Sequence, residues 1–188
     1  PTFVLFDDWI RSSRQLDRDD ALRTLAERYF VSHGPATLRD FVGWSGLTVA
    51  DARVALALAA PVLERVDAGD VALWMSNEHE TADGGESRAH LLPGFDELML
   101  GYKDRSASLP PRFADRICPG GNGMFVATLV WEGRVCGTWR RARATSAGVV
   151  LEASPFVRLP ASRQKAFARP AERYGEFLGG PVGLEWVD

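Results

Sequence analysis

One short segment of this chain carries the same helix-start signal twice. Thr37-Leu-Arg-Asp40 and Thr48-Val-Ala-Asp51 both read Thr-x-x-Asp, and Trp44-Ser45-Gly46 lies between them. A threonine at the N-cap accepts a backbone hydrogen bond, and an acidic residue three positions later can bond back to the cap, so each phrase predicts a capping box. Two helices joined by such a short turn must cross steeply. The segment therefore predicts a helix-turn-helix.

The flanking residues extend this prediction to a winged helix over residues 17–77. A first helix is expected to start at Asp17 or Asp19 and to stop at His33-Gly34-Pro35, because glycine suits a helix end and proline follows it. Residues 62–74 alternate around the turn 67–70, which predicts a β-hairpin after the third helix. The positions expected to be buried in the second and third helices are Leu38, Phe41, Trp44, Val49, Ala52, Leu56 and Ala59.

The rest of the chain predicts a second, β-rich region. Residues 1–16 are expected to be a lead-in strand or a short packed segment, and residues 78–90 a linker or loop. Residues 91–188 are expected to hold strands at 124–133, 134–143 and 148–159, a helix from Pro160 to about Leu178, and an edge strand at 183–187. The predicted fold class is α+β: a winged helix-turn-helix, then an antiparallel β-rich region with a C-terminal helix.

Composition excludes several classes of protein. No apolar run reaches the ~18–20 residues of a membrane span, and the N-terminus has no basic region like that of a signal peptide. The two cysteines, Cys118 and Cys136, form no C-x-x-C pair, and the histidines share no ligand spacing, so neither a zinc site nor a cofactor is expected. The expected setting is a reducing cytoplasm.

Charge is unevenly distributed. The net charge is −3, which disfavours nucleic acid as a partner, but residues 101–145 hold eight basic and three acidic residues and so carry +5. Strand 134–143 brings four arginines near one predicted turn, beside Trp131 and Trp139. Cationic strands with aromatic residues suit a phosphate backbone. The equally open alternative is that these arginines pair with carboxylates elsewhere in an acidic chain.

Three sequence blocks together resemble the winged-helix family of the AlkZ- and YcaQ-type DNA glycosylases. They are RYFVSHGPATLRDFVGWSGL (28–47), LLPGFDELMLGYKDRS (91–106) and VWEGRVCGTWRR (130–141). The resemblance implies tandem winged helices, a chain about twice this length, and bacterial enzymes that remove alkylated or crosslinked bases. It also implies a catalytic Gln-x-Gln or Gln-x-Asp in the N-terminal half. This chain lacks that motif in its expected context, so it resembles the non-catalytic C-terminal part.

The resemblance also implies contact with double-stranded DNA. The family's helix-turn-helix corresponds to residues 37–59 and its basic strand to residues 134–143. The candidate DNA-binding residues are Arg39, Thr48, Arg53, Lys103, Arg105, Arg134, Arg140, Arg141 and Arg143. No catalytic residue is predicted, since Gln15-Leu16-Asp17 lacks the flanking residues of the signature.

Two other hypotheses stay open on the sequence alone. The acidic pI of about 5.7 favours a winged-helix module that binds a protein rather than DNA. The weaker hypothesis is an enzyme acting by itself through Asp17, Asp96 or Glu97.

Overall fold

The computed structural model describes residues 2–10, 12, 14–78, 88–145 and 148–187. It is a mixed α+β structure, as predicted, and the chain divides into two compact units, Pro1–His79 and Glu80–Asp188. No single helix in the described part of the chain is long and apolar enough to cross a membrane.

The first unit consists of four helices followed by a hairpin. Its elements are α1 (Phe6–Trp9), α2 (Arg18–His33), α3 (Leu38–Ser45), α4 (Val49–Ala59), a 3₁₀ turn (Ala60–Val62), β1 (Leu63–Ala68) and β2 (Val71–Ser76). β1 and β2 are antiparallel and turn at Gly69, which has a φ of 61°. The predicted hairpin is therefore confirmed.

Small residues on α4 let it pack closely against α2. Ala52, Ala55 and Ala59 are fully buried, and they face an α2 whose Tyr29 and Phe30 are also fully buried. The predicted core was wrong at two positions, because Trp44 at the end of α3 is 39% exposed and Val49 at the start of α4 is 48% exposed. The helix buries its alanine stripe instead, since short side chains allow the two helix backbones to approach.

Gly34 ends α2 as predicted. Glycine at a helix end usually adopts a left-handed backbone conformation, but Gly34 does not. Its φ is −64°, which any residue can adopt. A Cβ at this position would lie 2.6 Å from the Cα of Met75, so only glycine fits. The close approach lets Ala36 exchange two backbone hydrogen bonds with Trp74, at 3.0 and 2.8 Å, which fastens the segment before α3 to the hairpin.

The second unit is built on a five-stranded sheet. Its elements are β3 (Ala89–Leu92), α5 (Glu97–Leu100), a 3₁₀ turn (Pro111–Phe113), α6 (Ala114–Ile117), a 3₁₀ turn (Pro119–Gly121), β4 (Thr128–Trp131), β5 (Arg134–Thr145), β6 (Gly148–Pro155), α7 (Ala161–Ala166), α8 (Ala168–Leu178) and β7 (Val182–Trp186). The strand order is β3-β4-β5-β6-β7, antiparallel except for the parallel pair β6 and β7.

Both faces of this sheet are covered, because successive residues of a strand point to opposite sides. Leu129 packs in a cluster with Phe167 of the α7–α8 connection. The next residue, Val130, packs on the other side with Met99 of α5 and Ile117 of α6. The sheet therefore positions β3 and β5 between two layers of helices.

Several predicted boundaries were wrong. Residues 3–10 are neither a strand nor packed: they contain α1, and Phe3 and Trp9 are 95% and 73% exposed. The predicted strands 124–133 and 148–159 shorten to β4 and β6, and the C-terminal helix is broken into α7 and α8. Of the predicted linker 78–90, residues 79–87 lie outside the described residues, while Ala89 and His90 already belong to β3.

Candidate nucleic-acid interface

The doubled Thr-x-x-Asp phrase forms two capped helices that cross steeply. Thr37 and Asp40 make the full reciprocal capping box of α3, which ends at Gly46 in the left-handed region with a φ of 72°. Thr48 caps α4, accepting from the backbone N–H of Asp51 at 3.1 Å. The chain bends by 116° between the two helices. This is within the ~90–120° range of helix-turn-helix units.

Two of the predicted DNA contacts in this unit carry an available positive charge. Arg39 on α3 and Arg53 on α4 are exposed, and neither has an ion-pair or hydrogen-bond partner among the described residues. Thr48 differs, because its hydroxyl also donates to the Asp51 carboxylate at 2.8 Å. Its hydroxyl is therefore used by the cap. Asp51 in turn accepts from Arg18, which ties the start of α2 to the start of α4.

The four arginines of β5 do not gather near one turn. The hairpin turn is Glu132-Gly133, with φ values of 49° and 75°, as a two-residue hairpin requires. Arg134 stands at this turn. Arg140 lies six residues further along the strand, which at about 3.3 Å per residue is roughly 20 Å away. The arrangement expected from the sequence was wrong in this respect.

Arg140 and Arg143 are held by one glutamate of the adjacent strand β6 and one of β7, the next strand in the sheet. Arg140 binds Glu152 with two parallel hydrogen bonds of 2.8 Å, and this hydrogen bonding, together with the negative charge, raises the pKa of the arginine. Arg143 binds Glu185 at 2.5 Å. The alternative of carboxylate pairing therefore holds for these two residues. Both guanidinium groups stay exposed, at 69% and 60%, so solvent screens the pairs.

The Arg141 side chain lies on the face of the sheet opposite to that of Arg140 and Arg143. It donates to the Tyr174 hydroxyl at 2.7 Å, and its guanidinium lies 5.8 Å from the centre of that ring. Tyr174 belongs to α8, so Arg141 contacts the helix that covers the sheet. The strand thus divides its arginines between two surfaces.

The two candidate residues Lys103 and Arg105 differ in their exposure to solvent. Arg105 is half-buried, donates to the backbone oxygen of Met99, and lies 5.0 Å from the centre of the Phe125 ring. These contacts give it a structural role in the loop after α5. Lys103 is exposed.

Two of the three carboxylates considered for catalysis, Asp17 and Asp96, act as helix caps, and the third, Glu97, is the first residue of α5. Asp17 accepts from the backbone N–H of Asp20 at 2.8 Å, at the start of α2. Asp96 accepts from the backbone N–H of Leu98 at 2.9 Å, at the start of α5. In the described ranges no group of three or more His, Cys, Asp or Glu side chains could hold a metal ion.

Sequence reasoning missed a groove between β3 and α8. Arg169, Arg173 and Phe177 follow each other at helical spacing of four, and His90 faces them from the edge strand. The signal was present as an i, i+4, i+8 stripe of two cations and an aromatic residue on a predicted helix. The sequence alone did not identify this stripe as part of a groove, because the strand that forms the other wall lies about 80 residues earlier in the chain.

Comparisons with known proteins agree with the resemblance seen in the sequence. The family model described as "DNA glycosylase AlkZ-like" matches residues 1–177. The solved structure of the Streptomyces sahachiroi DNA glycosylase AlkZ is similar to this chain with a TM-score of 0.75 and 24% identity. The similarity covers 93% of this chain and 48% of that protein, so this chain spans about half its length. No curated protein matches the sequence.

Proposed function

The chain belongs to the AlkZ-like DNA glycosylase family, and from this premise we propose that it binds double-stranded DNA through its first unit, as part of a DNA-repair protein. We interpret α2, α3, α4 and the β1–β2 hairpin as a winged helix. In such units the helix after the turn lies against the major groove. Here that helix is α4.

The observation that carries this proposal is that Arg39 and Arg53, on the two steeply crossed helices, have no partner among the described residues. Most basic side chains that were candidates elsewhere are engaged: Arg105, Arg140, Arg141 and Arg143 all have protein partners. Arg39 and Arg53 are the candidates in the first unit whose charge is free to neutralise phosphates. The family membership suggests DNA as the ligand, and the positions of the two arginines suggest the surface that binds it.

The exposed face of α4 favours binding to the backbone rather than to particular bases. Apart from Arg53, its exposed positions are small or apolar, including Ala50, Val54 and Ala57. Base edges in the major groove are read mainly by side chains with paired donors and acceptors. A helix with one arginine and several short side chains suits phosphate contact without sequence preference.

We propose that this part of the protein does not hydrolyse the glycosidic bond by itself. Asp17, the acidic residue of Gln15-Leu16-Asp17, is occupied as a helix cap, and Asp96 has the same role in the second unit. Each carboxylate accepts a backbone N–H at a helix start, which is a structural role. The expected result is no release of alkylated bases by this chain.

The test is duplex binding by the double variant Arg39→Gln/Arg53→Gln, measured by fluorescence anisotropy at low salt. Each lost phosphate contact lowers the magnitude of the salt slope by about 0.9. We therefore expect weaker binding to every duplex sequence and a slope reduced by nearly two. Arg28→Gln is the matched control, because Arg28 is an exposed arginine on α2 with no side-chain partner among the described residues. Equal affinity of the double variant and the control would contradict the proposal.

A second candidate function has one specific observation in its favour. Val49 and Val54 on α4 are 48% and 40% exposed, so the open face of this helix is partly apolar. A protein partner would gain from covering these residues, whereas a phosphate backbone would not. If Val54→Ala left duplex binding unchanged while the arginine double variant had no effect, the interaction module would be the better interpretation.

A further inference from the structure

The groove between β3 and α8 lies wholly within the second unit and has a volume of about 550 Å³. Its walls include His90 and Leu91 of the edge strand, and Arg169, Arg173, Tyr174 and Phe177 of the helix. The volume is within the ~300–1,000 Å³ range of small-ligand pockets. It is open along one side, so a chain-like ligand could enter it without a conformational change.

The groove is cationic in a chain whose net charge is negative. None of its lining residues is acidic, and Arg169 and Arg173 have no ion-pair or hydrogen-bond partner in the part of the chain that the structure describes. The two glutamates of α8, Glu172 and Glu176, line a separate depression on another side of the helix. Arg140 and Arg143 of β5 are neutralised by Glu152 and Glu185, whereas the two arginines of this groove have no such partner among the described residues.

The groove also presents aromatic rings in a fixed arrangement. Tyr174 is held by Trp139, edge-to-face at 5.6 Å, and by the hydrogen bond from Arg141. Phe177 lies nearly parallel to Tyr174, with ring centres 6.4 Å apart and an angle of 17°. Phe177 is 83% exposed, so most of its ring is free to contact a ligand. An apolar ring left so exposed on a helix contributes nothing to the core.

We propose that this groove binds single-stranded DNA, with phosphates on Arg169 and Arg173 and a base stacked on Phe177. A positively charged groove with aromatic side chains is the usual way of holding unpaired strands, because every base has a face that can stack. A duplex keeps its base faces covered and offers only phosphates, so it leaves Phe177 without a partner. The inference rests on the proposed function for its ligand class, and it assigns the unpaired strand to a separate surface.

The experiment compares binding of a labelled oligothymidylate and a blunt duplex of equal length by fluorescence anisotropy, using the whole chain. Phe177→Ala is expected to weaken binding of the single strand by about fivefold or more, because base–aromatic stacking contributes ~1–3 kcal/mol per base. It is expected to leave duplex affinity unchanged. Val157→Ala is the matched control, since Val157 is also an exposed apolar residue of this unit, at 58%.

A second pair of variants tests the cationic wall. Arg169→Gln/Arg173→Gln is expected to lower the salt slope for the single strand by about 1.4, at ~0.7 for each lost phosphate contact. Arg158→Gln is its control, because Arg158 is exposed in the same unit and lies outside the groove. Both variants change exposed side chains, and unchanged circular dichroism would show that they fold.

Two results would overturn the inference. One is a Phe177→Ala variant that binds the oligothymidylate as Val157→Ala does. The other is an equal loss of duplex and single-strand affinity in the groove variants, which would mean general electrostatic attraction. Failure of the proposed function is a separate result, because it concerns duplex affinity and the variants Arg39→Gln/Arg53→Gln of the first unit.

Discussion

The two threonine caps offer an internal comparison of how burial changes the strength of one motif. Thr37 accepts from the backbone N–H of Asp40 at 3.0 Å and donates to its carboxylate at 2.6 Å, and Asp40 is only 5% exposed. Thr48 makes the same two hydrogen bonds to Asp51, at 3.1 and 2.8 Å, but the Asp51 side chain is 30% exposed. We expect Thr37→Ala to destabilise the protein more than Thr48→Ala.

The magnitude follows from what each substitution leaves behind. Loss of an N-cap costs about 1 kcal/mol in either helix. At Asp40 the substitution also removes a donor to a buried carboxylate, which costs about 1.5–3 kcal/mol more. At Asp51 water can replace the lost donor, so the additional loss is about 0.5 kcal/mol. The expected destabilisation is therefore about 2.5–4 kcal/mol for Thr37→Ala and about 1.5 kcal/mol for Thr48→Ala.

The assay is urea unfolding followed by circular dichroism, with the free energy of unfolding taken from linear extrapolation. Both threonines lie in the same unit, so any contribution of the other unit to the transition is common to the two variants. Thr37→Ser, which keeps the hydroxyl, should recover most of the loss. Equal destabilisation by the two alanine variants would refute the reasoning from burial.

Three further predictions concern the glycines, the thiols and one ion pair. Gly34→Ala should destabilise the protein by about 3 kcal/mol through backbone overlap, and Gly46→Ala by only about 1 kcal/mol through its positive φ, as measured by urea unfolding. Burial raises the pKa of Cys136 to about 11, so an alkylating reagent at pH 8 should label Cys118 and spare Cys136 until the pH approaches 11, as mass spectrometry would show. Glu152→Gln should leave duplex affinity unchanged, because the proposed duplex contacts lie in the first unit, and a few-fold gain in anisotropy titrations would show that the β5 arginines reach DNA.

Local signals in the sequence were sufficient for the first unit. The Thr37 capping box, the Thr48 N-cap, the helix end at Gly46 and the hairpin turn at Gly69 were correctly predicted, because each depends on residues within a few positions. The full capping box predicted for α4 was wrong, since Asp51 does not accept from the Thr48 backbone N–H. The role of Gly34 was not visible, since its close neighbour Met75 is distant in sequence. Val49 shows the same limit: amphipathic spacing predicted burial, but Val49 is 48% exposed, whereas Ala52, Ala55 and Ala59 are fully buried.

The candidate site could be predicted only as a set of charges. The sequence indicated that β5 is basic, but it could not show that Glu152 comes from the adjacent strand β6 and Glu185 from β7, the next strand beyond β6. Alternation along a strand separates Arg141 from Arg140, and the irregular register between Arg141 and Arg143 returns the latter to the side of the glutamates. That Arg39 and Arg53 on the helices, and Arg169 and Arg173 in the groove, lack partners among the described residues emerges only from the three-dimensional structure.

The most direct test of the proposed function is the affinity of this chain for a labelled duplex from about 20 to 200 mM salt. The account predicts that the logarithm of the association constant falls linearly with the logarithm of salt concentration, at a slope of about −2 or steeper, since Arg39 and Arg53 each neutralise a phosphate. Absence of binding at the lowest salt concentration, or an affinity that does not change with salt, would contradict it.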